Sequence, residues 1–174
     1  MLKIYQLLLL VLIIELSAKK LNSPYEVMKY SFGPDVEVVK KNIILKKSQA
    51  LSIQKSAKVK LNSKIFRYFK AVRNSEIIGY GILINRKVRS KNAVVLYMID
   101  TNSTLKGIEI IAFNEPEEYI TSKKWNALFE GTSTQSNLYL GKGIPTITGA
   151  TLSARTVTDG SRIASAFYNE VLKK

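Results

Sequence analysis

Between residues 65 and 113 the chain repeats one pattern four times: a strand-length run rich in Ile, Val and Tyr, closed by a short polar turn. The runs are 65–72, 77–85, 93–100 and 105–113. Arg-Asn-Ser-Glu, a basic Arg-Ser-Lys-Asn stretch and Thr-Asn-Ser-Thr separate them. Parallel neighbours need a crossover of a dozen or more residues, and these turns are far shorter, so sequential strands must pair antiparallel. The flanks then have to supply the covering layers. On the N-terminal side, Ser23-Pro24 reads as a cap with Pro at the first helical position, opening a helix that ends near Gly33-Pro34. A strand over 36–45 follows, and then a helix capped by Ser48 and running to Ala57, with Leu51 and Ile53 facing inward. On the C-terminal side an acidic loop, 114–119, precedes a helix over 122–130 that carries the only Trp, Trp125, and stops at Gly131. A short strand at 137–140 and a flexible Gly141-Lys142-Gly143-Ile144-Pro145 lead come next. The last helix, beginning at Ser153, places Val157, Gly160, Ile163 or Ala164, Phe167 and Val171 on one face at spacings of three and four. The expected fold is α+β, an antiparallel sheet packed with helices in a single compact domain, with residues 19–63 as its N-terminal segment and 64–174 as its core.

Composition narrows the chemistry. Among 174 residues there is no Cys and no His, which removes disulfides, thiol nucleophiles, nearly every zinc site, His- or Cys-ligated haem and the Ser-His-Asp triad. What is left is hydroxyls, carboxylates, amines or a borrowed cofactor. Residues 1–18 read as a secretory signal, with Lys3, an apolar run over 7–14 and Leu16-Ser17-Ala18 before the cut. The same run retained as an anchor is the second choice. Export to the periplasm or another extracytoplasmic space is expected. The net charge of +14, from 27 Lys and Arg against 13 Asp and Glu, is spread over small groups: Lys40-Lys41, Lys46-Lys47, Arg86 to Lys91 and Lys123-Lys124. That dispersion reads as a solvated basic surface that favours encounter with acidic partners or anionic lipid.

The segment with the most chemistry is Thr148-Gly149-Ala150-Thr151-Leu152-Ser153, small residues and hydroxyls running directly into the last helix. The first amides of a helix have no intrahelical acceptors and carry the positive end of the macrodipole, so this junction is built to seat a phosphate. Without a ligand the same residues make a plain helix entry with Ser153 as N-cap.

In this setting the sequence resembles the extracytoplasmic FMN-binding domain family. That family comprises the covalent-FMN subunits of the sodium-pumping NADH:quinone reductase and of the ferredoxin:NAD oxidoreductase complex, and stand-alone flavoproteins. The likeness is carried by the Thr-Gly-Ala-Thr turn at 148–151 and, in the family's order, by Ile77-Ile78-Gly79-Tyr80, Leu96 to Asp100, Leu105 to Glu109, Glu115-Pro116 and Trp125, Phe129 and Gly131. The resemblance implies FMN held through a phosphoester to Thr151, made from FAD by a magnesium-dependent flavin transferase. Two positions depart from the family: no His precedes Glu115 in a loop that reads Glu115-Pro116-Glu117-Glu118, and Pro145 stands where the transferase commonly meets an acidic residue.

The expected cofactor site is therefore Thr151, as the covalent FMN position, with Thr148, Gly149, Ala150, Leu152, Ser153, Glu115 and Trp125. Ser153, Arg155 or Lys142 would donate to the phosphate, and Trp125, Tyr119, Tyr97 and Met98 are candidates for a slot against the flavin ring. No catalytic residue and no metal site is expected. The expected role is electron transfer between membrane or extracytoplasmic redox partners rather than a complete enzyme. The expected partners are the flavin transferase, a redox protein or membrane electron-transfer complex, and an anionic membrane surface, with no nucleic acid. Three alternatives stay open: noncovalent FMN, a reductase component, and a flavin-free basic module for polyanions.

Overall fold

The computed structural model describes residues 23–136 and 138–173. The expected signal segment, 1–18, lies outside the described residues. The chain runs α1 (Pro24–Phe32), β1 (Glu37–Ile44), α2 (Lys47–Ala57), β2 (Ile65–Arg73), β3 (Glu76–Lys87), β4 (Asn92–Asp100) and β5 (Thr104–Phe113). After these come a short α3 (Lys123–Asn126), β6 (Thr132–Ser133), β7 (Tyr139–Leu140), β8 (Gly143–Ile144) and α4 (Thr151–Phe167). The first six strands form one sheet in chain order, every neighbour antiparallel, as the short turns require.

Both faces of this sheet are covered, and β4 shows why its sequence is nearly all apolar. Val95, Tyr97 and Ile99 point into a core shared with α2 and α4, while Leu96 and Met98 point to the opposite face, into a core with Val27, Met28 and Phe32 of α1. A strand buried on both faces has no polar side to alternate. The edge strand β1 has no such constraint and exposes Lys40 and Lys41.

The first three helices begin where local chemistry directs. At α1 the Ser23 hydroxyl accepts from the Tyr25 amide while the Glu26 carboxylate accepts from the Ser23 amide, a reciprocal cap. At α2 the expected Ser48 cap is replaced by Lys46, whose amide donates to the Gln49 side chain at 3.0 Å. The buried stripe of α2 is Ala50, Ile53 and Ala57; Leu51 falls a quarter-turn off it and is exposed, contrary to expectation. The helix with Trp125 is capped by Ser122 and tightens into a 3₁₀ turn after Asn126. The 141–145 lead is not loose: Gly143–Ile144 pairs with Tyr139–Leu140.

Three contacts position α4. Its face of Val157, Gly160, Ile163, Ala164 and Phe167 is buried against the sheet. The Tyr97 hydroxyl donates to the Val157 carbonyl at 2.9 Å, and Gly160 makes this approach feasible, since a Cβ there would overlap the Tyr97 hydroxyl. The Thr156 hydroxyl donates to the Lys87 carbonyl at 3.3 Å. The first turn of α4 is thereby set beside the turn that joins β3 to β4.

Candidate cofactor site

The last helix starts two residues earlier than expected. Ala150 is its N-cap, with φ −123° and ψ 30°, and no side chain caps it. Ser153 is consequently inside the first turn and not its cap. Its side chain is buried, and its hydroxyl has no hydrogen-bond partner. A buried hydroxyl without a partner costs on the order of 1–3 kcal/mol, so a protein keeps one where something else supplies the bond. The amides of Thr151, Leu152 and Ser153 stand at the same end, unpaired as the first amides of any helix are.

The residues that carry these groups lie beside a cavity of about 200 Å³ lined by Gly149, Ala150, Thr151, Leu152 and Ser153 on one side and Val88, Arg89, Glu115 and Tyr119 on the other. The Thr151 side chain is exposed to this space and its hydroxyl donates to the Ile147 carbonyl at 3.0 Å, which leaves the oxygen lone pairs outward. Gly149 turns the chain at φ +81°, with nothing within 4 Å of where a side chain would begin, so it meets both the tight turn and the open approach. Leu152 is 44% exposed at the rim, an apolar surface next to polar donors.

Glu115 lines this cavity, yet its carboxylate is already engaged. One oxygen accepts from the amides of Lys91 and Ser90 at 2.6 Å each and from Arg89 at 3.1 Å, and the Ser90 hydroxyl donates to the other at 3.1 Å. These bonds, that from Lys91 foremost, hold the carboxyl down to about 2. Glu115 fastens the β3–β4 turn rather than offering itself to a ligand.

The other expected residues divide. Tyr119 lines the cavity, whereas Thr148, Lys142 and Arg155 are exposed and do not line it. Trp125 is in the core, stacked edge-on against Phe129, and its indole N–H donates to the Pro145 carbonyl at 2.9 Å. It anchors the lead into the site and is not part of the cavity wall. Tyr97 and Met98 are buried on opposite faces of the sheet. Val88 and Arg89 were not foreseen; the only signal for Arg89 was its place in the Arg86 to Lys91 group, which reads as solvated surface. Among the described residues there is no group of three or more carboxylate side chains that could hold a metal ion.

An uncapped helix start, a buried hydroxyl without a partner and an arginine across a small cleft are the features of a seat for a phosphate group. Residues 90–165 match the FMN-binding domain family. Over these residues the chain is similar to that domain, and its cofactor is FMN. A structure search finds the crystal structure of NqrC from Shewanella oneidensis, at 15% identity and a TM-score of 0.54, covering 87% of this chain and 88% of that one; the likeness is one of fold. A sequence comparison with curated proteins finds no match.

The residues fit FMN at its phosphate end. The Ser153 hydroxyl and the first amides of α4 are donors without acceptors, and Arg89 brings positive charge. Whole small-molecule sites occupy roughly 300–1,000 Å³, so a cavity of about 200 Å³ takes one end of FMN and not the entire molecule.

Proposed function

We propose that this protein is an exported electron-transfer flavoprotein whose FMN is attached through a phosphoester to Thr151, and which relays electrons between membrane or extracytoplasmic redox partners. The observation that carries the reading is the unpartnered, buried hydroxyl of Ser153, a residue that lines the same cavity as the exposed Thr151. When bound, FMN supplies transfer of one or two electrons. The chain's own residues hold and orient it. Attachment would use the Thr151 hydroxyl, whose proton is shared with the Ile147 carbonyl, as the acceptor of the FMN phosphoryl group from FAD, with AMP as the leaving group and a magnesium-dependent flavin transferase as catalyst. The amides of Leu152 and Ser153 and the Ser153 hydroxyl then take the phosphodiester oxygens. The net charge of +14 favours docking on acidic partners or anionic membrane.

A second reading, noncovalent FMN, is favoured by Pro145. It stands where the transferase commonly meets an acid, and its carbonyl is tied to Trp125. The test is to express the precursor with a flavin transferase, denature it, and look for flavin fluorescence on the gel band. Fluorescence that survives denaturation and disappears in Thr151→Ala is the expected result. Flavin that washes out leaves the noncovalent reading. A colourless protein that binds nucleic acid or lipid in a salt-sensitive way contradicts both.

A further inference from the structure

The cavity has two walls from distant parts of the chain; on the wall opposite α4, Glu115 and Tyr119 were expected near the cofactor, whereas Val88 and Arg89 were not. The opposite wall is the four-residue β3–β4 turn, Val88 to Lys91, closed by a bond from the Val88 amide to the Lys91 carbonyl at 2.9 Å. Hairpin turns of this kind are ordinarily mobile and exposed. This one is gripped from outside by Glu115, whose carboxylate receives the three successive amides of Arg89, Ser90 and Lys91 as well as the Ser90 hydroxyl. Four hydrogen-bond donors on one carboxylate fix the turn's backbone to within a hydrogen bond's tolerance. The basic residue that this gripped turn contributes to the cavity lining is Arg89. Among the described residues its guanidinium has no ion-pair or hydrogen-bond partner, and it stands across a cleft of about 200 Å³ from the start of α4. A carboxylate placed at an anion site would ordinarily repel the anion. Here the three amides stabilise its charge and stand between it and the turn, while Arg89 supplies the positive charge of this wall.

Resting on the reading of this cavity as the FMN site, we propose that Arg89 is the cationic partner of the FMN phosphate and that Glu115 is the positioning residue that holds Arg89 there. The roles first expected for Arg155 and Lys142, which do not line the cavity, pass to Arg89. Glu115 acts through the turn and does not touch the flavin.

The test uses the full chain and compares FMN with riboflavin, which has the same ring and no phosphate. Retention is measured by titration without flavin transferase and by extent of loading from FAD with it. Arg89→Gln, a change at an exposed position, is expected to weaken FMN retention by about tenfold or more. The same variant should leave riboflavin within about twofold. Glu115→Ala is expected to reproduce that loss of discrimination, and adding Arg89→Gln to it should cost little more, since one acts through the other. Glu115→Gln keeps an oxygen for the three amides and should restore most of the preference for FMN, which a merely destabilised fold would not do. Arg89→Gln that discriminates FMN from riboflavin as well as the natural chain does overturns the proposal while leaving the cofactor reading in place. A natural chain that takes FMN in neither measurement overturns both.

Discussion

Two helices of this chain begin in opposite ways. At α1, Ser23 and Glu26 satisfy the first amides reciprocally, Pro24 occupies the first helical position, and the start needs nothing from outside. At α4 the N-cap is Ala150, no side chain caps, and the one nearby serine is two residues too late and buried with its hydroxyl unpaired. Both are Ser-bearing junctions in the same domain, and the contrast separates a helix start that is closed by its own side chains from one that is not, which is the start proposed to receive the cofactor. The rest of α4 is buried along one face and tied to the sheet through Tyr97 and Thr156, so the open end sits on a fixed support.

The contrast can be broken most severely by loosening that support. Gly160→Ala would drive a methyl into the Tyr97 hydroxyl, with the ring carbon bearing it only 2.8 Å away, and displace the bond to Val157. A loss of about 2–3 kcal/mol in urea unfolding is expected, with weakened FMN retention following from the shifted helix. A next, smaller test is the pair of serines. Ser23→Ala should destabilise by about 1 kcal/mol, as loss of a cap does. Ser153→Ala in flavin-free protein should be neutral or stabilising, because it removes a buried donor that has no partner. Two serine-to-alanine changes at two helix starts are thus expected to differ in sign.

The smallest effect is that of pH. The Glu115 carboxyl, ordinarily near 4.5, is held down to about 2 by the amides of the β3–β4 turn. A depressed folded value means that its contribution is fully present above pH 4.5 and is lost as pH falls from there toward 2. Urea midpoints measured between pH 5 and pH 2.5 should fall more steeply for the natural chain than for Glu115→Gln. Parallel slopes would show that the carboxylate does not hold the turn.

Much of the fold was legible because local signals and the global arrangement agree. The turns between β2 and β5 are too short for anything but antiparallel neighbours, and Ser23-Pro24 carries its own start signal. The short strand expected at 137–140 contains β7, but its partner β8 in the Gly-rich lead was not legible, since a two-residue strand leaves no period to read. The candidate site was half legible. Its α4 wall is contiguous in sequence, from Gly149 to Ser153. Its other wall is brought in by Glu115 reaching back across 24 to 26 residues to the amides of Arg89, Ser90 and Lys91, bonds that no local pattern encodes. The same distance hid the role of Trp125: an aromatic side chain near a flavin motif reads as a ring contact, whereas its indole N–H is committed to Pro145, 20 residues on. Ser153 misled because serine at a loop-to-helix junction is most often a cap, and only the backbone of Ala150 shows that the helix has already begun.

The measurement closest to the central claim is the melting temperature of the natural chain and of Ser153→Ala, each with and without saturating FMN. The open helix start predicts that FMN raises the natural chain's melting temperature and raises that of Ser153→Ala by less, while the flavin-free variant melts no earlier than the natural chain. An FMN-induced rise of equal size in both proteins, or in neither, would contradict it.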